Sequence, residues 1–124
     1  MSENYKVRSK KLTDKYKAYR VAIGDGLDDV LNSEAPLMEW KFWKLLTNKF
    51  PYDKIAISHD MIVPKRKFGS LKDASGDEIA ELEDIKIELA DNYDCFLETS
   101  YSRARSIKTH YHLHCIAIRD DLAE

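Results

Sequence analysis

Seven residues near the C-terminus, His110-Tyr111-His112-Leu113-His114-Cys115-Ile116, constrain this chain more than any other stretch. Three of its four histidines stand there at every second position. In extended backbone successive side chains alternate between faces. His110, His112 and His114 are therefore expected on one face of a short strand, with Tyr111, Leu113 and Cys115 on the other. Such spacing has no purpose in a solvated loop. A row of imidazoles backed by an apolar face is suited to holding a ligand, and a phosphate group fits best.

The rest of the chain supplies a sheet for that strand. Residues 37–47 are aromatic and apolar, and 54–63 place Ile55, Ile57, His59, Met61 and Val63 at alternate positions; both read as strands. Pro51 and Pro64 punctuate them. Ser75-Gly76-Asp77-Glu78 has the S-x-x-E form of a capping box, followed by Ile79, Leu82, Ile85 and Leu89. This predicts a helix over 76–92. A third strand is expected at 93–98 and the histidine strand at 110–118. Upstream, Leu12, Tyr16, Tyr19 and Ile23 form an apolar stripe on a lysine-rich segment. It reads as an N-terminal helix packing on the sheet, or as a docking helix for an acidic partner. The order helix, strand, strand, helix, strand, strand indicates an α+β domain. The division expected is a helical extension over 1–36 and a sheet domain over 37–124.

Composition narrows the partners. With 124 residues the chain has the size of one domain. Its formal net charge of -2 supplies no basic field for nucleic acid. No apolar run approaches the roughly 20 residues of a membrane span, and the stretch Met1-Ser2-Glu3-Asn4-Tyr5-Lys6 lacks the apolar core expected of a secretory signal. Cys95 and Cys115 lie in apolar surroundings and read as buried thiols, so a reducing cytoplasm is expected.

Two chemistries suit three aligned imidazoles. A neutral imidazole can attack phosphorus and form a phospho-histidine, with its neighbours fixing tautomers and moving protons. Alternatively, His-x-His spacing can place several nitrogens on a metal ion, with Glu98 or His59 as a further ligand. His59, isolated in sequence, reads on its own as a hydrogen-bonded core residue. The basic run Lys65-Arg66-Lys67 reads as a solvated corner.

The stretch 110–116 resembles the signature of the histidine triad (HIT) family, histidine-φ-histidine-φ-histidine-φ-φ, where φ is apolar. Leu46-Thr47-Asn48-Lys49-Phe50-Pro51-Tyr52 is similar to that family's Asn-x-(Phe/Tyr)-Pro segment. His59-Asp60-Met61-Ile62-Val63-Pro64 is similar to its His-φ-φ-φ-φ-Pro strand, with Asp60 where an apolar residue is usual. The resemblance covers about 37–118. It implies a HIT-like antiparallel sheet of about five strands with a central helix, commonly dimeric. It also implies hydrolysis or transfer at the α-phosphate of a nucleotide, without cofactor or metal.

By that resemblance His112 is the nucleophile, His110 and His114 orient it or contact phosphate, and His59 completes the cluster. Asn48 falls near the ribose and Phe50 near the base. The segment 97–106 departs from the family, having no glycine, Glu98 in place of an asparagine and Ser106 in place of a glutamine. Arg103 and Arg105 would supply compensating phosphate contacts there, or are ordinary loop charges. These departures leave open a HIT-fold protein that binds a nucleotide or partner with little turnover.

Overall fold

A computed structural model describes residues 7–23, 35–98 and 110–122. The fold is α+β: a five-stranded, open, fully antiparallel sheet with a helix on each face. Helix α1 spans Lys10–Ile23 and α2 spans Gly76–Leu89. The strands are β1 (Met38–Glu39), β2 (Trp43–Thr47), β3 (Ala56–Pro64), β4 (Cys95–Leu97) and β5 (Leu113–Ile118), in the spatial order β1-β2-β3-β5-β4. No described helix is long and apolar enough to cross a membrane.

The central position of β3 follows from its length. Its nine residues pair with β2 on one side and β5 on the other. The ladder between β3 and β5 pairs Met61 with His114 and His59 with Ile116, with an irregularity between Ala56 and Ser58. That bulge throws Ile57 out to 70% exposure, so it leaves the apolar row in which its even spacing would put it.

Direct cross-strand partners share a face, so the register sorts the sheet into two surfaces. One carries Trp43, Leu45, Ile62, Leu113 and Cys115, which form the main core with Leu82, Ile85 and Leu89 of α2. Ser75 caps α2 as expected: its Oγ accepts from the Glu78 N–H while the Glu78 carboxylate accepts from the Ser75 N–H. The apolar stripe differs at its start. Ile79 sits at the rim, and the buried first-turn residue is Glu78, whose carboxylate also accepts two hydrogen bonds from Arg66. The helix ends at Leu89, three residues before the expected Asn92, in a turn closed by Asn92 N–H to the Leu89 carbonyl.

The opposite surface carries Leu46, Met61, Val63, His59, His114 and Ile116, and α1 lies against it. Tyr19 packs on Leu46, Met61 and Val63. Ser9 caps α1, its Oγ accepting from the Leu12 N–H, and Asp53 holds the cap by accepting from the Ser9 N–H at 2.6 Å. Of the two readings of the N-terminal helix, the structure displays the first: α1 packs on the sheet.

Candidate functional site: a buried histidine cluster

All four histidines lie on the α1 side of the sheet or at its edge, and each is at most 4% exposed. The period-two alternation holds, since Tyr111, Leu113 and Cys115 enter the α2-side core. The strand itself is shorter than 110–118. The ladder begins at Leu113 because the preceding residues pair elsewhere: the Tyr111 N–H goes to the Phe68 carbonyl, and His110 Nε2 lies 3.1 Å from the Pro64 carbonyl. Thus His110 is fastened to the end of β3. His112 is at the mouth of β5, and only His114 is in the ladder.

Hydrogen bonds around His59 and His114 fix where the protons sit. The Tyr52 backbone N–H can only donate, so His59 Nδ1, 3.0 Å away, accepts. A neutral imidazole has one N–H, and that of His59 is therefore on Nε2. It donates to His114 Nδ1 at 2.8 Å. His114 in turn carries its proton on Nε2 and donates to the Tyr52 hydroxyl oxygen at 3.1 Å. The chain runs one way, from His59 through His114 to Tyr52, and begins and ends on the same residue.

Electrostatics agrees with this assignment. Burial, reinforced by the Arg8 charge and then by His112, holds His59 down to about 3. Burial first, then His112, His59 and Arg8, holds His114 well below the ordinary imidazole value. Burial also pushes the Tyr52 hydroxyl up to about 12. Both imidazoles are neutral donors.

His112 is arranged differently. Its Nδ1 lies 3.2 Å from the His110 carbonyl oxygen, which can only accept. The ring proton is therefore on Nδ1, and Nε2 is the basic nitrogen. Its ring meets that of His114 edge-on, centroids 4.9 Å apart.

The other expected site residues divide. Asn48 comes to the cluster: its Oδ1 accepts from the Phe50 N–H, and its Nδ2 is 3.3 Å from His59 Nε2. Because His59 Nε2 carries a proton, that last approach brings two donors together and orients no bond. Phe50 is nearby, but its ring packs on Tyr16 and Tyr19 of α1 at 5.3 and 5.1 Å. Glu98 is exposed just beyond β4, one residue past the Leu97 that pairs with His114. Arg103, Arg105 and Ser106 lie outside the described residues. Asp60, the polar departure in the His59 strand, faces the α2 side and accepts a hydrogen bond from the Tyr93 hydroxyl. The basic corner is occupied structurally: Lys65 pairs with Glu39 at 2.6 Å and Arg66 with Glu78.

Two residues of the cluster carried no signal of their own in sequence. Tyr52 follows the Phe50-Pro51 break and was readable only as part of it. Arg8 lies near the N-terminus, and its guanidinium is over the Tyr52 ring at 5.0 Å. As for a metal, His59 Nε2 and His114 Nδ1 face each other at hydrogen-bond distance and do not converge on a third point. Among the described residues no group of three His, Cys, Asp or Glu side chains is disposed to hold an ion.

Comparison with known proteins identifies no relative: no family model matches the chain, and no curated protein matches it.

Proposed function

We propose that this is a HIT-type enzyme, a nucleotide hydrolase or nucleotidyl transferase acting at the α-phosphate through a nucleotidyl-histidine on His112. The observation that carries the reading is the division of labour among the imidazoles. His112 presents Nε2 as a base while its Nδ1–H is engaged by the His110 carbonyl; His59 and His114 are held as neutral donors. In the first step the Nε2 lone pair forms a bond to phosphorus. The bond to the leaving group breaks, and that group departs with the electron pair and takes a proton from solvent. The imidazole becomes cationic, and the carbonyl dipole on Nδ1–H stabilises that charge as it develops. Water then attacks phosphorus and gives up a proton to solvent, the N–P bond breaks with its electron pair returning to Nε2, and neutral His112 is regenerated.

The resemblance that supports this reading also carries a homodimer, which sedimentation velocity tests directly; a cytoplasmic setting rests separately on the two cysteines. For the reaction, the test is a panel of adenosine and guanosine phosphoramidates, dinucleoside polyphosphates and an adenylated amino acid, with chelator present. Turnover is expected, and His112→Ala is expected to lower it by at least about a thousandfold with little change in nucleotide binding. Full activity in the variant overturns the covalent route.

A second reading, a HIT-fold protein that binds a nucleotide with little turnover, has its own support. The histidines are almost wholly buried, and two tyrosines of α1 occupy the ring of Phe50. Nucleotide binding without turnover of any panel member would select it.

A further inference from the structure

Arg8 lies two residues ahead of α1 and is 3% exposed. Its guanidinium stacks over the rings of Tyr16 and Tyr52, at 4.5 and 5.0 Å, and its Nε donates to the Phe50 carbonyl at 2.6 Å. Its Nη1 is buried and meets no hydrogen-bond acceptor. Among the described residues none of the ion pairs formed includes Arg8. Asp53, whose charge acts on Arg8, has one oxygen committed to the Ser9 N–H.

An arginine cannot discard its charge by losing a proton. Burying that charge without a counter-ion costs stability, which one carbonyl and two ring faces offset only in part. The location of this cation, in no ion pair among the described residues, matters. Tyr52 lies against Arg8 on one side, and its ring centroid is 4.5 Å from that of His59 and 4.9 Å from that of His114. A permanent positive charge is thus held one aromatic ring away from the histidine cluster.

We propose that Arg8 is a ligand-binding residue of this site, and that a phosphate group of the bound nucleotide provides its missing counter-ion. The choice of phosphate rests on the reading of the cluster given above. A guanidinium matches phosphate with two parallel N–H donors, and Nη1 has a donor to give. The N-terminal segment then serves as part of the binding site rather than as an appended helix.

The test is thermal unfolding of the full chain titrated with pyrophosphate and with AMP, against sodium chloride at matched ionic strength. It compares wild type, Arg8→Met, Arg8→Lys and His112→Ala. Both phosphates should raise the unfolding temperature of wild type and of His112→Ala. Arg8→Met should weaken the apparent affinity about tenfold or more, the loss expected for one charge-assisted contact. Its unliganded unfolding temperature should be unchanged or higher, because an unpaired buried charge has been removed. Arg8→Lys should retain part of the affinity.

The proposal is overturned if wild type is not stabilised by either phosphate. It is also overturned if Arg8→Met binds as tightly as wild type, whatever its unliganded unfolding temperature; a lower one would mark Arg8 as a mere brace on Phe50. Should Arg8→Met fail to fold, Arg8→Gln removes the charge, retains an N–H donor and decides by the same affinity comparison. Because the readout is binding, a chain that turns over no substrate still answers the question.

Discussion

The two faces of the sheet are buried to a similar degree by opposite means. Under α2 the contacts are apolar: Trp43, Ile62, Leu82, Ile85, Tyr111 and Cys115 are each at most 1% exposed. The polar groups admitted there have full partners, such as the Trp43 indole N–H on the Glu78 carbonyl and Tyr93 on Asp60. Under α1 the same depth holds His59, His114, His112, the Tyr52 hydroxyl and a guanidinium. Burial of that second set stabilises little, since each polar group exchanges water for one or two protein partners. The first face holds the fold together; the second carries the site proposed above.

If that contrast is right, the largest stability loss comes from the α2 face. Trp43→Ala removes the largest fully buried side chain and should cost about 3–5 kcal/mol, measured by urea unfolding. A cost comparable to that of a surface substitution would mean the core is not centred there.

A pH series sharpens the comparison from the other face. His59 and His114 are depressed in the folded state, so below about pH 6.5 the unfolded chain binds protons that the folded cluster refuses. Stability is then full above that pH and falls with acid, by about 1.4 kcal/mol per pH unit for each histidine. Glu78 is depressed too, chiefly by its hydrogen bond from Arg66. Its contribution is present above the ordinary carboxylate range and is lost only as pH falls through its lower folded value. Acid should therefore loosen the histidine face first and the α2 face later. Unfolding midpoints at pH 7.5, 6 and 5 check this; a flat profile over that range would show that the cluster accepts protons in place.

The smallest effect is local. Ser75→Ala removes one half of the capping box on α2 and should cost about 1 kcal/mol. Placing Gly at position 75 should cost less, and urea midpoints separate the two.

Particular residues show what was legible in the sequence. The α2 cap and the alternation of Tyr111, Leu113 and Cys115 follow from short-range patterns, whereas the proximity of His59 to the triad strand was expected from the resemblance alone. These patterns survive folding because one face is buried. Ile57 did not follow its pattern, since a bulge is a property of two strands and leaves no mark on one. Strand β5 began late because the Tyr111 N–H found Phe68, a partner 43 positions away. For the same reason Arg8 was silent: that it joins no ion pair among the described residues depends on everything folded around it. The departure at Asp60 is now accounted for by Tyr93. That at 97–106 concerns residues mostly outside the described structure.

The lengths of the strands have one more consequence. The sheet is nine residues long at its centre, but its outer strands β1 and β4 have only two and three. Among the described residues, a neighbouring chain seeking to extend the sheet would find few backbone groups to pair with on either outer strand, which discourages ribbon-like growth. Any lasting association between copies must instead be written in side chains, where substitution can tune it one residue at a time.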